Sequence, residues 1–84
     1  MKPKTMYKKD KKMSLEEMQQ KVGGYIEVAY DDGETQIICN EEGKLIGLSI
    51  NDEATSLWEK LLGHSPMDVL VGDCLILTEK ARLI

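Results

Sequence analysis

The sequence predicts a small α+β domain: a twisted, mostly antiparallel sheet of about five short strands with two helices, at residues 15–22 and 52–62. Three patterns carry that prediction. A capping box and a clean apolar stripe mark the helices, Asp31-Asp32-Gly33 joins two β-like runs, and apolar runs return at residues 69–78. With 84 residues the chain is too short for two separate cores. One domain is therefore expected over residues 13–78, with a Lys-rich arm at 1–12 and a tail at 79–84.

The arm holds Lys2, Lys4, Lys8, Lys9, Lys11 and Lys12 against Asp10 alone. It reads either as a solvated tail or as an edge strand through Lys4–Tyr7. Ser14-Leu15-Glu16-Glu17 is a capping box, in which the Ser14 hydroxyl caps the first turn and Glu17 reaches back to the Ser14 amide. Met13 and Met18 occupy the staple positions. Leu15, Met18 and Val22 recur at helical spacing until Gly23-Gly24 ends the element. So short a helix needs to dock by its apolar stripe.

Tyr25 to Tyr30 alternates, with Ile26, Val28 and Tyr30 on one face and Tyr25, Glu27 and Ala29 on the other. A hairpin through Asp31–Glu34 returns the chain along Thr35–Cys39. Asn40-Glu41-Glu42-Gly43 reads as a second turn closed by a left-handed glycine. Lys44–Leu48 then completes a three-strand meander.

Asn51 is an N-cap, and Ala54, Leu57, Trp58, Leu61 and Leu62 form a stripe that Gly63 stops and Pro66 keeps from resuming. This helix should pack across one sheet face, in an interior shared with the strands. Asp68–Thr78 reads as a tight hairpin or as one strand bent at Gly72.

Composition narrows the function classes. Hydrophobic residues make up 42% of the chain with no Phe and one Trp, so the core is aliphatic. The arm carries a formal +5 and the remaining 72 residues −9, giving the net −4. The acidic body argues against its tracking phosphates, so nucleic acid enters only through the arm. Cys39 and Cys74, 35 positions apart in apolar runs, read as buried free thiols rather than a disulfide framework. Apolar runs are far shorter than the ~20 residues of a bilayer span, and no apolar stretch follows the N-terminal lysines as in a signal peptide. A cytoplasmic location without membrane partners is expected. A core this small also makes self-association expected, as a homo-oligomer.

The strings Val22-Gly23-Gly24-Tyr25-Ile26-Glu27, Asn40-Glu41-Glu42-Gly43-Lys44-Leu45, Asn51 with Ala54, and Val69-Leu70-Val71-Gly72-Asp73 occur in that order. From Leu15 to Leu77 the chain resembles a domain-of-unknown-function family encoded mainly by bacteriophages, plasmids and other mobile elements. The resemblance implies such an origin, with the host cytoplasm as the place of action, and brings no catalytic residues with it. Family members usually open with a β-strand, whose place here is taken by the Lys-rich arm.

Candidate chemistry is sparse. Gly23-Gly24 follows a helix and precedes a strand, the reverse of a phosphate loop, and serves as a helix cap. His64 is the single histidine and stands in a loop without the spacing of zinc ligands. Asp68 with Asp73, and Asp31 with Asp32, fit turns and caps. Trp58 sits on the apolar stripe as a core residue, while Tyr25 is the aromatic expected to face solvent. No catalytic, metal or cofactor site is assigned, and an enzyme is not expected. The surface to consider first is Gly23, Gly24, Tyr25 and Glu27. Three roles follow in order: a non-enzymatic accessory protein binding a host or phage protein; a binder of a nucleotide-like small ligand; and nucleic-acid association through Lys2, Lys4, Lys8, Lys9, Lys11 and Lys12.

Overall fold

Local signals place most elements where the sequence puts them. The computed structural model describes residues 2–83; Met1 of the arm and Ile84 of the tail lie outside the described residues. Strand β1 is Thr5–Lys8, helix α1 Leu15–Val22, strand β2 Ile26–Asp31, strand β3 Thr35–Asn40, helix α2 Asp52–Leu62 and strand β4 Cys74–Thr78, followed by a 3₁₀ turn at Glu79–Ala81. Both caps form as expected: Ser14 Oγ accepts the Glu17 amide and Asn51 Oδ1 the Ala54 amide, while Gly23 and Gly63 end the helices with left-handed backbone.

The sheet departs from expectation in number and direction. Among the described residues it has four strands in the order β1-β4-β3-β2, and it is mixed, because β1 runs parallel to β4. The arm thus supplies a regular edge strand. Lys4 anchors it: its N–H donates to Asp73 Oδ1 at 2.8 Å and its carbonyl accepts the Cys74 N–H at 2.9 Å. Asn51 reinforces the junction. Its buried amide donates to the carbonyls of Lys4 and Gly72, and its Oδ1 accepts from Thr5 Oγ1 as well as from Ala54.

The expected third strand, Lys44–Leu48, is instead part of a run of turns over residues 41–47. The cause is local. Asn40 Oδ1 accepts the Glu42 amide at 2.8 Å, the Ile46 amide reaches the Glu42 carbonyl at 3.0 Å, and the chain coils rather than extends. The left-handed glycine here is Gly47 rather than Gly43; Gly43 is required for room, since a Cβ there would lie 2.8 Å from Val71 Cγ2. Asp68–Thr78 forms neither a hairpin nor one bent strand. Val71 makes an isolated antiparallel bridge with Ile50, Gly72 turns the chain, and only Cys74–Thr78 is a strand.

The 31–34 hairpin forms as expected. Asp31 Oδ1 accepts the Gly33 amide, and Asp32 Oδ1 accepts those of Glu34 and Thr35. The alternation of β2, however, is broken by a bulge between Val28 and Tyr30. Ile26 packs toward α1, whereas Ala29 and Tyr30 both turn toward α2. Leu15 also leaves its expected stripe and is 55% exposed.

The interior is divided by the sheet rather than shared. Met18 and Val22 of α1 join Ile38, Leu75, Leu77 and Ala81 on one face. On the other face Ile37, Cys39, Cys74 and Ile76 meet Ala54 of α2 and Leu70, with Tyr30, Leu57, Trp58 and Leu61 half-covered around them. Both thiols are free and buried.

Candidate functional site

The half-covered rim on the α2 face is where a site can form. The bulge at Ala29 swings Tyr30 toward α2, leaving Glu27 and Val28 at one wall of a groove of about 400 Å³. The turn carrying Glu41, Lys44 and Leu45 forms a second wall, Asp68–Val71 a third, and Trp58 closes the end. Cys39 is its floor. Burial is the main cause that pushes the Cys39 thiol up to about 12, so it stays protonated and unreactive at neutral pH; the same cause takes Cys74 to about 11. The Cys39 Sγ–H points at Glu27 Oε1, 3.7 Å away.

Charge in the groove is one-sided. Lys44 pairs with Asp68, tying the 41–47 turn to the segment before β4, and this pairing holds the Asp68 carboxyl below its usual range. Being exposed at both ends, the pair adds little to stability. Glu27 and Glu41 have no ammonium within ion-pair distance among the described residues. The lining therefore carries two uncompensated negative charges together with the Trp58 side chain. Leu45 extends the wall outward at 84% exposure. This combination suits a cationic, partly apolar group, because an ammonium or guanidinium gains from both the carboxylates and the ring.

Of the four surface residues singled out in the sequence, three come together. Gly23, Gly24 and Tyr25 line a hollow of about 260 Å³ with Asn40 and Ile46, and Tyr25 is 67% exposed, as expected. Glu27 lies in the neighbouring groove, and Asn40 borders both. Trp58 is half-buried: it packs on the α2-face cluster and also borders the groove. Sequence reasoning missed the groove because it needs Lys44 beside Asp68 across 24 positions and a turn where a strand was expected. The signal available was the pair Leu45-Ile46, apolar residues next to a glycine in a segment too short to bury both.

The remaining candidates are dispersed. His64 is exposed, with Nδ1 3.1 Å from the Ser65 carbonyl. Asp73 anchors Lys4 while Asp68 pairs with Lys44. Asp31 and Asp32 hold the hairpin, and the amides they accept depress both carboxyls. Among the described residues no group of three or more His, Cys, Asp or Glu side chains gathers as for a metal. In the arm, Lys2 borders Pro3 and Gly23, the Lys4 main chain is fixed in the sheet, and Lys8, Lys9, Lys11 and Lys12 surround a hollow with Lys21 of α1. No helix among the described residues is long and apolar enough to cross a membrane.

No curated protein and no solved structure matches the chain. One family model matches it, over residues 1–82 and thus over the arm, both helices and all four strands. The chain belongs to that family, described as a domain of unknown function, DUF3846.

Proposed function

We propose that this protein is a non-enzymatic accessory protein of a phage or mobile element, acting in the host cytoplasm by binding a basic partner protein at the α2-face groove. The observation that carries the reading is the groove itself: an indole wall, an exposed aliphatic rim at Val28 and Leu45, and an excess of carboxylates. The rim supplies area, and the carboxylates select a partner presenting Lys or Arg and speed its approach. The neighbouring hollow at Gly23, Gly24 and Tyr25 extends the same surface. The resemblance of the sequence to mobile-element proteins supports the origin. Reading the gene neighbourhood tests it: housekeeping operons on both sides would count against it.

The same negative charge disfavours the nucleotide-like ligand, since phosphates would meet Glu27, Glu41 and Asp68. Self-association as a homo-oligomer is supported by the apolar exposure of Leu45 and Ile46. A sedimentation profile that stays monomeric at high micromolar concentration would remove that part.

Trp58 is the single tryptophan, so its emission reports directly on the groove. Titrating the protein with an oligo-arginine peptide should shift that emission, and binding should weaken as salt rises. Glu27→Gln with Glu41→Gln should weaken it by about tenfold. Emission unmoved by the peptide, or unchanged affinity in the neutralised variant, contradicts the reading. A response to ATP stronger than to the peptide transfers the site to the small-ligand class.

A further inference from the structure

Cys39 floors the α2-face groove, and the sheet sets a second thiol, Cys74, beside it. The antiparallel register that runs from Thr35↔Thr78 to Ile38↔Leu75 brings Cys39 opposite Cys74 at its next step. Both side chains lie on the α2 face, in one cluster with Ile37 and Ile76. The Cys74 N–H is spent on the Lys4 carbonyl beside β1, so toward β3 this residue makes no ladder bond. The two cysteines are therefore a non-hydrogen-bonded cross-strand pair, the closer of the two kinds. Such pairs stand about 4.5 Å apart at Cα, inside the roughly 4.4–6.8 Å that a disulfide spans.

Joining the sulfurs strands no polar group. The Cys39 Sγ–H points at Glu27, whose side chain is open to water, and the Cys74 Sγ–H at the Gly72 carbonyl, which keeps the Asn51 amide at 3.0 Å. Access is unequal: Cys39 opens on the groove, whereas Cys74 has no exposure. Between them, residues 40–73 carry the 41–47 turn, Trp58 and Asp68–Val71. Those are the walls of the groove other than the one at Glu27 and Val28.

We infer that Cys39 and Cys74 form a redox latch, which a small cationic disulfide entering the groove converts to an intramolecular disulfide that fixes both ends of the segment building the groove. Cys39 gives its proton to water, and its thiolate attacks one sulfur of the oxidant RSSR; the departing RS⁻ takes a proton back. Cys74 then ionises and attacks the Cys39 sulfur of the mixed disulfide, expelling the second RS⁻ as RSH. Two protein thiols are oxidised and one RSSR is reduced to two RSH. Burial, with Cys74 as the next cause, pushes the Cys39 thiol up to about 12 and leaves few thiolates. The stronger nucleophilicity of each thiolate offsets part of that loss, so attack is about 100-fold slower than by a free cysteine. The latch thus stays open through a brief exposure at neutral pH and closes under sustained or alkaline exposure.

The test incubates the full folded chain with cystamine at about pH 8.5 and reads intact mass, free thiols and melting temperature. The expected product is a single chain lighter by two hydrogens, with no adduct and no thiol open to maleimide after unfolding. Closing so long a loop should raise the melting temperature by about 10–20 °C, and dithiothreitol should restore the starting value. Cys74→Ala should stop at a mixed disulfide on Cys39, and Cys39→Ala should not react, because Cys74 is sealed. Oxidised glutathione, an anion, should react more slowly than cystamine, since Glu27, Glu41 and Asp68 line the entry. The mass of the parent product decides the matter even where a variant folds poorly. Four results overturn the latch: both thiols still free, a disulfide formed only between chains, closure that requires urea, or an intramolecular disulfide that lowers the melting temperature. Equal reaction of the two variants, or glutathione outpacing cystamine, overturns entry through the groove. None of these readouts uses a basic peptide, so failure here leaves the proposed function standing.

Discussion

The two faces of the sheet are built from similar side chains and finished differently. Against α1, the six core residues are at most 4% exposed, and Met6, Met13, Ile26 and Leu83 close the edges. Against α2, the sheet is covered at Ala54 and Leu70 but less completely toward β2, where Trp58 and Tyr30 are only partly buried. The difference follows from chain geometry. α1 is an 8-residue helix joined to β2 by a Gly-Gly corner, and it packs against β2, β3 and β4 together. α2 is tied at its N-terminus by Asn51, and the space beside its middle is walled by a coiled turn instead of a strand. One face holds the fold together, and the other holds the fold and leaves a groove.

Substitutions should separate the two. Leu75→Ala on the closed face removes a side chain with no exposure and should cost about 2–5 kcal/mol, measured by urea unfolding. For a chain this size that is most of the available stability. Asn51→Ala comes next, at about 2–3 kcal/mol, because it removes the α2 cap and leaves the Lys4 and Gly72 carbonyls short of a donor. Amide exchange should then show β1 loosening first. Trp58→Ala should cost about 1–2 kcal/mol, below the value for full burial, since the side chain is only partly buried. Its larger effect is expected on peptide affinity. A stability loss at Trp58 equal to that at Leu75 would erase the distinction between the faces.

The smallest effect belongs to the hairpin that borders the open face. Backbone amides, Gly33 foremost for Asp31 and Thr35 for Asp32, hold both carboxyls below their usual 3.8. A depressed folded pKa means the unfolded chain takes up protons first, so this contribution is complete above 3.8 and is lost as pH falls through the lower folded values. Melting temperature should decline below about pH 5, and Asp32→Asn, which keeps an acceptor without the charge, should flatten that decline. An identical acid slope in the variant would show that other groups carry it.

How far the sequence disclosed this structure depended on distance along the chain. Ser14 with Glu17, Asn51 with Ala54, and Asp31–Gly33 are bonded within three residues of one another, and each element they define stands where the sequence put it. The parallel pairing of β1 with β4 joins residues 69 apart, starting at Thr5 and Cys74, and no local pattern announces it. The bulge that sends Tyr30 to the opposite face from Ile26 depends on pairing with β3, so strict alternation gave the wrong side. Residues 41–47 show local chemistry misread: alternation suggested a strand, while the Asn40 side chain and the tight packing of Gly43 on Val71 decided for a coil. The candidate groove inherits that error, since the misread turn is one of its walls. Tyr25 and Glu27 were legible as surface residues, but their separation into adjoining hollows was not.

An NMR titration of the ¹⁵N-labelled chain with a basic peptide examines the division of labour between the faces in one experiment. Amide shifts should concentrate at Glu27, Val28, Leu45, Trp58 and Val69, leaving Met18, Val22 and Leu77 still. Shifts centred on α1, or none at saturating peptide, would contradict the assignment of binding to the open face.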